Sequence, residues 1–120
     1  EYPEARVLGR QTGEALAACS AGADVCVFPS RTDTFGLGMI ETLACGTPVA
    51  AYPVAGPLDV LDARSGATAE RLDDAIAAAL RLDREACVAR ARQFSWRASA
   101  DQFLAALVPG SRDDSLPKAA

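Results

Sequence analysis

At 120 residues, 50% hydrophobic and 23% charged, the chain has the size and composition of a single globular α/β domain. A net charge of −4 with no cluster of Lys or Arg excludes the basic footprint that nucleic acid requires. Four cysteines without a CxxC pair, and no histidine, exclude a zinc site of ordinary ligand spacing.

Cys19, Cys26, Cys45 and Cys87 each sit among apolar residues and read as buried, reduced thiols of a cytoplasmic protein. No apolar run reaches the length of a membrane span, and Glu1 opens the chain in mid-pattern without an initiator Met, so a segment of a longer protein is expected. Much of the apolar content is alanine, which buries little area per residue, so modest stability is expected.

Val7-Leu8-Gly9 reads as a strand end, and residues 15–19 as the helix that follows. Residues 24–28 are a nearly continuous β-favouring run, as in a strand covered on both faces, and Pro29-Ser30 stops it. After a loop to about Gly36, the spacing of Leu37, Ile40, Leu43 and Ala44 predicts a helix that Gly46 ends. Residues 48–52 read as a second buried strand, residues 53–57 as a rigid loop at its carboxyl end, and residues 59–61 as a short helical turn. Residues 66–69 follow as a short strand.

Residues 71–82 form an amphipathic pattern with Leu72, Ala75, Ile76, Ala79 and Leu80 on one face. Further helices are expected over residues 84–93 and 97–107, the last with Ala100, Phe103, Leu104 and Leu107 inward and Trp96 as a core anchor. From Pro109 the chain is polar and expected to be disordered. Strands alternating with helices predict a Rossmann-like parallel sheet with flanking helices, in which ligands bind at the carboxyl ends of the strands.

That rule brings two loops to one edge, residues 29–36 and residues 53–59. The first leads into the helix from Leu37, where free amides around Gly36, Leu37 and Gly38 and the helix dipole favour a phosphate. Asp33 lies in the loop and Glu41 about one turn into the helix, so both carboxylates can face the hydroxyls of a sugar and a ribose joined by a diphosphate. By spacing alone, Asp33 also reads as a residue that orders its loop and Glu41 as a solvated helix carboxylate. Arg31 reads either as a phosphate contact or as a solvated loop cation, and Asp59 as a cap of the turn that follows it.

Pro29-Ser30, Phe35-Gly36-Leu37, Glu41 and Ala44-Cys45-Gly46-Thr47-Pro48-Val49 resemble the signature of the family 4 glycosyltransferases, in which two acidic residues are separated by seven others. Ala23-Asp24-Val25, Gly56-Pro57-Leu58-Asp59 and Phe94-Ser95-Trp96 extend the resemblance to about residue 107. Asp33 and Asp59 depart from it, standing where Glu is usual.

The resemblance implies the carboxy-terminal, donor-binding part of a GT-B fold, with residues 1–108 as an incomplete nucleotide-sugar-binding domain. It implies transfer from a nucleoside diphosphate sugar with retention of configuration, without cofactor or metal. Glu41 would bind the ribose and Asp33 the transferred sugar, while Ser30, Thr34, Phe35, Gly36, Leu37 and Gly38 surround the sugar and phosphates. The acceptor would be held by an amino-terminal domain outside this segment, and association of the whole enzyme with a membrane surface is compatible with this. The alternatives are a truncated or degenerate sugar-nucleotide-binding module without transferase activity, or an epimerase or phosphorylase of the same architecture; a phosphorylase would need a cofactor lysine, and the only Lys is Lys118. In that fold the strand at Val7-Leu8 would be separated from the strand at residues 24–28 by strands that precede Glu1, which leaves a strand edge unpaired.

Overall fold

The computed structural model describes residues 3–107. Three short runs pair as a parallel sheet, β1 (Cys26–Phe28), β2 (Val49–Ala51) and β3 (Gly66–Thr68), in the order β1-β2-β3. Cys26 pairs with Val49, and Val49 with Gly66. Six helices accompany them among the described residues: α1 (Gly13–Ala21), α2 (Leu37–Ala44), α3 (Ala55–Val60), α4 (Leu72–Ala79), α5 (Arg84–Ala91) and α6 (Trp96–Ala106). The Rossmann-like α/β arrangement expected from the alternation is the one observed.

All three residues of β2 are fully buried. Because successive side chains of a strand point to opposite faces, β2 serves two cores. Val49 and Ala51 join Met39 and Leu43 of α2, Val60 of α3, and Cys87 and Ala91 of α5. Ala50 turns the other way, to Ala75 and Ala79 of α4. Alanine on both partners of that second layer lets helix and strand approach closely, which is how an alanine-rich sequence builds a packed interior here.

Helix α1 buries none of its residues. Polar ties at its carboxyl end hold it instead: the Arg84 guanidinium donates to the carbonyls of Ala21 at 2.6 Å and Ala23 at 2.9 Å, and the Thr47 hydroxyl donates to Ser20 O at 2.6 Å. Such groups satisfy carbonyls that a helix end leaves without partners. All four cysteines are free thiols. Only Cys87 is fully buried, with burial pushing its thiol above the ordinary value and Asp83 O 3.3 Å from its Sγ. Cys26 and Cys45 are half-buried and Cys19 is exposed, so the expectation of four buried thiols fails where α1 lies on the surface.

The structure corrects other expectations. Val7-Leu8 forms no strand, and Val7 is 94% exposed, because no neighbouring strand is present there to share hydrogen bonds. β1 is an edge strand covered on one face, with Val27 exposed on the other. The stretch expected to be a rigid loop at residues 53–57 instead begins α3 at Ala55, so Asp59 lies inside a helix rather than capping one. Leu80 is exposed because α4 ends at Ala79.

Helix α6 forms, but none of its residues is buried. Trp96 is 86% exposed and Phe103 67%, so neither anchors the core. A helical period reports one apolar face, not the partner that covers it. The tail expected to be disordered lies outside the described residues.

Among the described residues β1 pairs with β2 alone, so its outer edge presents unpaired backbone donors and acceptors. The 120-residue chain should therefore self-associate as its concentration rises, which sedimentation velocity measures. A sharp monomer boundary at every concentration would contradict this.

Candidate functional site

The loop between β1 and α2 is turned by its own side chains. Asp33 Oδ1 accepts from the Phe35 amide at 3.3 Å, and Ser30 Oγ accepts weakly from the Thr32 amide at 3.4 Å. Gly36 then adopts φ 74° as the residue preceding α2, a left-handed conformation that glycine takes without steric cost. The first hydrogen bond of the new helix runs from Met39 N to Gly36 O at 2.9 Å. The amides of Gly36, Leu37 and Gly38 have no acceptor among the described residues, and they stand at the positive end of the α2 dipole, in the segment that follows the carboxyl end of β1.

The Asp33 carboxylate lies at that same helix start, since a Cβ on Gly36 would stand 3.2 Å from Asp33 Oδ2. A carboxylate there accepts hydroxyl donors, while the amides of Gly36, Leu37 and Gly38 are left for an anion. The Phe35 amide, expected to face a ligand, is engaged by Asp33. Thr34 is exposed, and Leu37 is exposed at 58%.

Glu41 is exposed and sits farther along α2. It lines a cavity of about 440 Å³ between α1 and α2, with Gly13, Ser20, Phe28, Gly38 and Thr42 in the walls. On its other side it borders a hollow of about 230 Å³ with Phe35, Phe94 and Trp96. Asp33 and Glu41 thus flank the start of α2 from different sides, Asp33 against α3 and Glu41 facing the cavity shared with α1. Among the described residues no group of three or more His, Cys, Asp or Glu could hold a metal ion.

The loop is braced by contacts that local sequence reading misses. The Arg31 guanidinium lies over the Tyr52 ring, 3.8 Å from its centroid, tying the loop to the end of β2. The Gly56 amide donates to Asp33 O at 3.1 Å. Phe94 meets Phe35 edge to face, with centroids 6.5 Å apart. The α1 residues Gly13, Leu16 and Ser20 were also missed as cavity walls. A signal exists for Gly13 alone: a helix leading back into a parallel strand begins near the carboxyl edge of the sheet.

Replacing Gly36 by Ala forces a side chain into the left-handed region and against Met39 Cε and Asp33 Oδ2. The flexible Met39 thioether can move aside, but the backbone cost of about 1–2 kcal/mol remains. Gly36→Ala should lower stability by that amount in denaturant titrations. An unchanged midpoint would show that the turn into α2 is not held as described.

The family model "Glycosyl transferases group 1" matches residues 2–82. The chain is 38% identical over 101 residues to a GDP-mannose-dependent alpha-(1-6)-phosphatidylinositol dimannoside mannosyltransferase of Mycobacterium tuberculosis, covering 78% of this chain and 26% of that protein. It is 40% identical over 113 residues to a D-inositol 3-phosphate glycosyltransferase of Segniliparus rotundus, covering 84% and 25%. A D-inositol 3-phosphate glycosyltransferase of Mycobacteroides abscessus is 41% identical over 104 residues, covering 78% and 24%. The chain spans about a quarter of the length of these curated relatives. With its parallel sheet and the acidic loop entering α2, the chain belongs to the group 1 glycosyl transferases.

Proposed function

We propose that this segment holds the nucleoside diphosphate sugar donor of a glycosyltransferase that retains anomeric configuration. The observation that carries the reading is the start of α2, where unpartnered amides lie between two acidic side chains. Glu41 accepts from the ribose hydroxyls, with the nucleoside in the cavity against α1. The diphosphate rests on the amides of Leu37 and Gly38, and Asp33 accepts from hydroxyls of the transferred sugar. Ser30 and Thr34 line the approach.

Charge grows on the departing diphosphate in the transition state, and fixed amides with a helix dipole are suited to stabilise it. In this reading that stabilisation replaces a metal, so chelation with EDTA leaves the rate unchanged. The acceptor is held by parts of the protein outside this segment. Four free thiols support a reducing, cytoplasmic setting, and no helix among the described residues is long and apolar enough to cross a membrane.

The test uses the protein expressed from its complete gene, titrated with GDP-mannose and with UDP-sugars. Glu41→Ala removes charge-assisted hydrogen bonds and should weaken donor binding about tenfold to a hundredfold. Asp33→Ala should fall mainly on kcat, because its contact tightens as charge develops at the anomeric carbon. Unchanged affinity in Glu41→Ala would remove α2 from the nucleotide site. Donor binding without turnover in the parent protein would favour a sugar-nucleotide-binding module.

A further inference from the structure

Arg90 of α5 lines neither hollow beside Glu41 and instead borders a separate one with Phe35, Gln93 and Phe94. Its Nε donates to Val60 O at 2.8 Å and its Nη2 to Asp59 O at 3.0 Å, so two arms of the guanidinium cap the carboxyl end of α3. Its third arm, Nη1, donates to Gln93 Oε1 at 2.8 Å. The same guanidinium lies over the Phe94 ring, 4.8 Å from the centroid.

Two routes from this one group converge on the loop at Asp33 and Phe35. Through α3 the route leads to Gly56, whose amide donates to Asp33 O. The approach there is so close that a Cβ on Gly56 would stand 3.1 Å from both Asp33 O and Phe35 N. Through Phe94 the route leads to the Phe35 ring, met edge to face. The α3 helix has six residues, too few to be stable unaided, so an external cap on its carbonyls decides how firmly Gly56 is held.

We propose that Arg90 is a positioning residue for sugar transfer: it fixes Asp33 and Phe35 from two sides, through α3 and Gly56 on one and through Phe94 on the other. What the loop does rests on the donor-binding reading above; how it is held does not. The role needs the planar fork of arginine, because an ammonium on a flexible stem cannot cap two carbonyls and cover a ring in one geometry.

The test uses the complete protein and two variants, Arg90→Lys and Phe94→Leu. The first keeps the charge and loses the fork; the second keeps an apolar side chain and loses the ring. The Gly56 amide is buried and donates to Asp33 O, so its hydrogen exchange reads the clamp directly. Both variants should speed exchange at Gly56 while leaving α4 amides unchanged. With whichever of GDP-mannose and the UDP-sugars the parent protein turns over as donor, kcat should fall roughly tenfold to a hundredfold in Arg90→Lys, with KM changed far less, as for a contact group displaced by about an ångström.

Unchanged Gly56 exchange in both variants overturns the proposal, whatever happens to the melting temperature. A purely structural Arg90 would lower the melting temperature and leave the balance of kcat and KM as in the parent. If Arg90→Lys does not fold, Phe94→Leu, whose side chain is only half-buried, still gives the exchange result. A parent protein that binds no sugar nucleotide sinks the donor reading separately, and the Gly56 measurement still decides how the loop is held.

Discussion

The rest of this structure depends on the complete burial of a three-residue strand, Val49-Ala50-Ala51. Enclosed on both faces and hydrogen-bonded on both edges, β2 fixes where α2, α4 and α5 pack and where the chain must leave the sheet. Tyr52, just past its end, gives Arg31 a ring to lie over, and α3 starts three residues later. The site is thus a consequence of a strand that takes no part in it. Three residues suffice because each is small or β-branched and none carries a polar side chain into the interior.

Polar ties hold the pieces that burial does not reach. Helix α1 buries no residue, yet it forms a wall of the cavity beside Glu41, kept there by Arg84 and Thr47 at its carboxyl end. The acidic loop is likewise exposed over most of its length and is held by a backbone hydrogen bond, an aromatic edge and a stacked guanidinium. A surface built this way stays open to solvent while its backbone is tied to the scaffold at several points. Arginines on α5 serve both supports, Arg84 toward α1 and Arg90 toward α3.

The strands β1 to β3 and the helix from Leu37 were legible because each has a local signature: short apolar, β-tolerant runs, apolar residues at helical spacing, and glycine or proline near the ends. The acidic loop was legible for the same reason, since Asp33, Gly36 and Glu41 are close in sequence. Its supports were not. Phe35 meets Phe94, and Arg90 reaches Val60, across stretches of chain whose folding no local pattern reports. Trp96 and Phe103 were misread because apolar spacing specifies a face and not its cover. Val7 and Leu8 were misread because a strand exists only with a neighbour.

The central claim is that the start of α2 receives a nucleoside diphosphate sugar, and a crystal structure of the complete protein with GDP-mannose tests it most directly. The ribose hydroxyls should lie within hydrogen-bond distance of the Glu41 carboxylate, phosphate oxygens on the amides of Leu37 and Gly38, and sugar hydroxyls at Asp33. A nucleotide bound elsewhere, with Glu41 in open solvent and those amides facing only water, would contradict it.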